Sequence, residues 1–138
     1  MITQPTTKDI EKLLDLWEMA ISENYPLISH EKMPQAENTL REQVQLLPTL
    51  HVLKNENGRI VALVKVDEGI IGFLYVHPSE RGKGYASKLI NHVLEHMEIK
   101  GVVLRRTKHD IISFYEKNGF RQENTTKYGR KNYLAYRP

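Results

Sequence analysis

Cysteine is absent from this chain of 138 residues. Its absence excludes disulfide staples, thiolate metal sites and a cysteine nucleophile, and it is compatible with a reducing compartment. Long apolar runs are also absent, and nothing approaches the roughly 18 residues that a membrane-spanning helix requires. The opening MITQPTTKDI has neither the basic nor the apolar region of a secretory signal. Repeats, linkers and low-complexity tracts are missing too. The expectation is one soluble cytoplasmic domain over residues 1–138, without membrane contact. With 40% hydrophobic and 27% charged residues, a chain of this size buries a core unaided.

What is present is unevenly distributed. Residues 1–98 hold 10 lysines and arginines against 14 aspartates and glutamates, whereas residues 99–138 hold 10 against 3. A basic final third attracts polyanions, either nucleic acid or a phosphorylated cofactor. Tyr128, Tyr133 and Tyr136 fit strands better than a base-stacking platform, which disfavours nucleic acid.

Apolar spacing sets the order of elements. Ile10, Leu13, Leu14, Trp17, Ala20 and Ile21 recur at helical period after a Thr6 or Thr7 cap, and that helix stops near ENYP. A second helical stretch is expected from Ser29 to Pro48. TLHVLKN and RIVALVKV then flank Asn57-Gly58 as a hairpin. IIGFLYV follows, so continuously apolar that cover on both faces is expected. Ala86, Leu89, Ile90, Val93, Leu94 and Met97 form the stripe of a further helix. VVLRR is a strand, DIISFYEK a helix closed by Asn118-Gly119, and FRQEN and KNYLAY are final strands joined near Gly129. IIGFLYV and VVLRR would be parallel, joined by the helix between them. The fold class is α/β, a mixed sheet with helices on both faces.

Between IIGFLYV and its helix lies VHPSERGKGYASKL. Gly82 and Gly84 let an anion approach the backbone where the helix begins, and Arg81 and Lys83 add positive charge. The pattern is neither a P-loop nor a dinucleotide fingerprint, since Ser87 stands where the third glycine belongs. The glycines alone leave open a plain turn with exposed cations. A second motif, His92-Val93-Leu94-Glu95-His96, matches the zinc-peptidase pattern H-x-x-E-H. Both histidines lie off the apolar stripe and no third ligand follows them, so no metal is expected.

Arg81-Gly82-Lys83-Gly84-Tyr85-Ala86, after Leu74-Tyr75-Val76-His77-Pro78, resembles the [RQ]-x-x-G-x-[GA] signature of the GNAT superfamily of N-acetyltransferases. KHDIISFYEKNGF resembles that superfamily's later motif at Phe114, Tyr115, Gly119 and Phe120. The resemblance extends over most of the chain and is strongest over residues 59–121. It implies acetyl-CoA as donor, its pyrophosphate held by the amides of Gly82, Lys83, Gly84, Tyr85, Ala86 and Ser87. The donor's arm would pair with the backbone of Leu74, Tyr75 and Val76, where the two parallel strands part. The Val76 N–H would polarise the thioester carbonyl, and Tyr115 would protonate the leaving sulfur. Glu68 is the first choice of base, with His51, His77 and His109 as alternatives. Lys108 replaces the family's asparagine and is assigned to a CoA phosphate, and Ile111 replaces its alanine. Trp17 and Tyr25 are assigned as walls of the acceptor site, although Trp17 also fits a core stripe.

The implied activity is direct transfer of acetyl to a primary amine, on a small molecule or a peptide, in a ternary complex. Lys108, Ile111 and the lack of an obvious base favour the alternative of a non-catalytic CoA-binding or regulatory module. The amine, the acyl chain and the oligomeric state, a homodimer included, are left open.

Overall fold

The computed structural model describes residues 1–24, 47–104, 109–124, 127–128 and 132–138. The helix expected after Ser29, the turn at Gly129, and Tyr25 and Lys108 lie outside them.

The strands are β1 (Ile2–Thr3), β2 (Leu50–Lys54), β3 (Ile60–Asp67), β4 (Ile70–Val76), β5 (Gly101–Leu104), β6 (Phe120–Glu123) and β7 (Asn132–Tyr136). The helices are α1 (Ile10–Asn24), α2 (Tyr85–His96) and α3 (His109–Lys117). The strands form one sheet in the order β1-β2-β3-β4-β5-β7-β6. All neighbours are antiparallel except β4 and β5, which run parallel with α2 as their connection. The short edge strand β1 had no sequence signal; it is held by pairing with Val52 and Leu53.

Local chemistry explains the boundaries. Asp9 accepts the Thr6 N–H at 2.9 Å, closing a turn of 3-10 helix that runs into α1. Asn57-Gly58 forms the β2–β3 hairpin as expected. Gly58 is left-handed (φ 77°) and its N–H bonds to the Asn55 carbonyl at 3.0 Å. Asn118-Gly119 ends α3, with Gly119 at φ 97°.

The sheet separates two apolar layers. On one face α1 packs Leu13, Leu14, Leu16, Trp17 and Ala20 against Leu50, Val52, Leu63 and Tyr75. On the other, Leu89, Ile90 and Val93 of α2 and Ile112 and Tyr115 of α3 meet Leu53, Val64, Ile71, Val102 and Leu134. Leu89, Ile90 and Val93 are wholly buried, each worth about 1.5–3 kcal/mol relative to exposure. Val52 and Leu53 belong to opposite layers, as the two-residue period of a strand demands.

β4 departs from expectation. The strand buried on both faces is β3; in β4 only Ile71 and Tyr75 are buried, while Phe73, Leu74 and Val76 are half-exposed. The cause is the parallel ladder. Among the described residues β4 pairs with β5 only at Ile70↔Gly101 and Ile71↔Val102, after which β5 follows β7 and β4 follows β3. The apolar end of β4 therefore borders a split in the sheet.

Candidate active site

The split exposes backbone in a definite pattern. The His77 N–H bonds to the Val61 carbonyl at 2.8 Å, so His77 turns its backbone groups toward β3. Strand alternation then turns Tyr75 the same way and leaves Leu74 and Val76 facing the split. Of the three residues expected to offer backbone pairing, Leu74 and Val76 face the split. Tyr75 does not, because its backbone faces β3, and it contributes a side chain instead.

The loop after β4 leads into α2 through Pro78–Glu80, a single 3-10 turn whose Ser79 N–H bonds to Nδ1 of His77 at 3.1 Å. Gly82 (φ 83°) and Gly84 (φ 78°) are left-handed, and a Cβ built on either would meet nothing within 4 Å. Open space and a left-handed backbone together make a cradle that a side chain would fill. Lys88 is the first residue of α2 to bond back, to the Gly84 carbonyl at 3.1 Å. The amides of Tyr85, Ala86 and Ser87 ahead of it therefore remain for a ligand. They border a cavity of about 220 Å³ shared with Val76, Glu80, Arg81, Gly82 and Gly84.

The two cations of this loop are each paired with a carboxylate. Lys83 pairs with Glu80 at 2.6 Å. Arg81 places Nη1 and Nη2 each 2.7 Å from the Glu23 carboxylate, a bidentate pair. Its Nε donates to the Val76 carbonyl at 3.2 Å, and its guanidinium lies 5.3 Å from the centre of the Tyr75 ring. Both charges are compensated by carboxylates, so the anion affinity of the cradle rests on amides and on the helix terminus.

Glu23, at the end of α1, had no sequence signal, because nothing local connects it to a loop 58 residues further along. It also accepts the Tyr75 hydroxyl at 2.6 Å. Burial, and then Glu23, push the Tyr75 phenol up to about 12, so it stays protonated. Glu23 and Arg81 join Asp15, Glu18, Met19, Ser22, Tyr75 and Pro78 around a groove of about 740 Å³ between α1 and the end of β4. Three carboxylates face one arginine among these residues, which suits a cationic ligand.

The other expected site residues are dispersed. Trp17 does not line the groove; it is buried and stacks on Phe73 with ring centres 4.5 Å apart. Tyr115 is buried in the α2–α3 layer, edge-on to Phe114 and Phe120. Burial raises its phenol well above the ordinary range. Glu68, left-handed at φ 51°, shares the β3–β4 turn with Gly69. The whole of β4, roughly 20 Å of strand, separates Glu68 from the cradle. His51 is buried on β2, and His77 holds Arg59 and Ser79.

Parallel strands that part beside an amide-lined helix start define a site for an elongated, phosphate-bearing acyl carrier. The profile of the acetyltransferase (GNAT) domain matches residues 48–122, more than half of the sequence, and the chain belongs to that family. No curated protein sequence matches it. Solved structures share its fold. The apo form of YjaB from Escherichia coli has a TM-score of 0.76 at 22% identity, covering 99% of this chain and 96% of its own. The PaiA N-acetyltransferase of Thermoplasma acidophilum, solved in complex with coenzyme A, has a TM-score of 0.73 at 17% identity, covering 100% and 98%. An N-acetyltransferase from Staphylococcus aureus Mu50 has a TM-score of 0.73 at 14% identity, covering 98% of each chain. The family makes the protein an acetyltransferase whose donor is acetyl-CoA, and the cradle and the open strand edge fit that donor.

Proposed function

We propose that the protein transfers acetyl from acetyl-CoA to a primary amine by direct attack within a ternary complex. The observation that carries this reading is the juxtaposition of the β4–β5 split with the Gly82–Ser87 cradle. Acetyl-CoA supplies a thioester activated for acyl transfer. The amides of Gly82, Gly84, Tyr85, Ala86 and Ser87 hold its pyrophosphate, and the freed backbone of Leu74 pairs with its amide-bearing arm as an added strand would. The Val76 N–H, aimed into the split, stabilises charge on the carbonyl oxygen. Tyr115, kept protonated by burial, donates the proton that the departing sulfur needs, and its phenolate takes back the proton that the amine nitrogen sheds as the amide forms.

The acceptor enters through the α1 groove. A carboxylate wall attracts an ammonium, while Met19 and Tyr75 offer apolar contact to an aliphatic stem. Glu23 holds Arg81 and Tyr75 in place beside it. Glu68 is not assigned as base here, since it stands at the other end of β4.

Calorimetry with acetyl-CoA tests the donor site. Gly84→Glu puts a carboxylate into the cradle on a backbone that resists a side chain, and binding is expected to disappear. Unchanged binding by this variant would refute the assignment. Release of CoA thiol across amines differing in charge then tests transfer and the acceptor class.

A further inference from the structure

Past Ile71, β4 has no strand on its β5 side among the described residues, so no ladder fixes the peptide at its far end. A side chain takes over there. Arg81 donates Nε to the Val76 carbonyl at 3.2 Å and its two Nη atoms to Glu23 at 2.7 Å. In an extended strand the N–H and C=O of one residue leave on the same side. A clamp on the Val76 carbonyl therefore also sets the direction of its N–H. Glu23 fixes that clamp from α1, and the Tyr75 hydroxyl, 2.6 Å from the same carboxylate, holds Glu23 in turn. Arg81 is also the one described residue that lines both the cradle cavity and the α1 groove.

Glu23 stands in the last turn of α1, which carries no basic residue. A carboxylate there opposes the helix dipole. The side chains of Arg81 and Glu23 are 46% and 41% exposed, a setting in which an ion pair contributes little stability. Neither helix preference nor stability accounts for Glu23. We propose that Glu23 is a positioning residue for acetyl transfer: it locks Arg81, which pins the Val76 carbonyl and so aims the Val76 N–H at the thioester oxygen. This rests on the reading of the chain as a transferase of acetyl to an amine. The bond from amine nitrogen to carbonyl carbon forms as the carbonyl electron pair moves onto oxygen, where that N–H meets it. Return of the pair breaks the carbon–sulfur bond, and sulfur takes the Tyr115 proton.

The test pairs kinetics with infrared spectra of bound acetyl-CoA carrying an isotope-labelled carbonyl. Glu23→Gln keeps the shape of the side chain and removes the charge that holds the guanidinium fork. Its kcat is expected to fall by about 10–100-fold, with Kd for acetyl-CoA and the melting temperature near those of the parent. The labelled carbonyl band, lowered by the N–H in the parent, should return toward its position in free acetyl-CoA, a change that a merely structural role does not cause. Glu23→Gln combined with Arg81→Gln should be no slower than Arg81→Gln alone, since the carboxylate acts through the guanidinium. Losses that multiply would overturn the proposal. A parental kcat and band in Glu23→Gln would overturn it and leave the transferase reading intact. A raised KM for the amine with kcat unchanged would do the same, making Glu23 a contact of the groove. A parent that neither binds acetyl-CoA nor releases thiol with any amine would overturn both.

Discussion

Tyr115 combines two duties in one side chain. Its ring fills the layer between α3 and the sheet, while its hydroxyl is the proton source in the proposed reaction. Tyr115→Phe separates them, because the ring remains. The expected result is a kcat lower by about 10²–10⁴, the usual worth of a general acid, with affinity for acetyl-CoA unchanged in calorimetry. An unaltered kcat would remove the hydroxyl from the chemistry. Asp9 offers a second measurement at this scale. The Thr6 N–H and then Lys54 hold its carboxyl below the ordinary range. A depressed folded value means stabilisation that is present above the unfolded pKa of about 3.9 and lost as pH falls through the folded value. Asp9→Asn should therefore lower the urea midpoint at pH 7 and flatten its decline below pH about 4. Side chains were the least legible level of the sequence. Arg81 and Lys83 read as phosphate ligands, and their carboxylate partners were not legible. Glu80 is only three residues from Lys83, but Glu23 reaches Arg81 through the tertiary fold alone.

Elements were more legible than their surroundings. The stripe from Ala86 to Met97 and the turns at Asn57-Gly58 and Asn118-Gly119 are local signals, and all three formed as read. IIGFLYV misled because an apolar run does not say what covers it: here part of its cover is the space of the split. Gly101 shows the same limit. In sequence it is only a break before a strand, yet in β5 a Cβ there would lie 2.5 Å from the Leu134 carbonyl oxygen and 2.6 Å from the Tyr133 ring. Backbone cannot yield as a flexible side chain does. Gly101→Ala is expected to destabilise the protein by about 1–3 kcal/mol, lowering the melting temperature by several degrees in a thermal scan. A melting temperature matching the parent would contradict so close an approach of β7.

For the molecule as a whole, donor and stability are linked. A ligand bound only by the folded state adds about 4 kcal/mol at a thousandfold excess over Kd, so saturating CoA should raise the melting temperature by on the order of 10 °C. Gly84→Glu should lose that rise and melt somewhat below the unliganded parent, because its left-handed backbone (φ 78°) strains any side chain although no neighbour stands within 4 Å. The class of fold was legible because it follows from periodicity and from one short motif. Strand order was not, since pairing between distant segments leaves no mark on either. β7 is the case in point: it is last in sequence but lies between β5 and β6. While the polypeptide is emerging from the ribosome, those two earlier strands wait unjoined, with their hydrogen-bonding edges bare, until residues 132–136 clear the exit tunnel. Three of the seven strands thus cannot join one another until β7 is free, and the nascent chain carries adhesive strand edges until then.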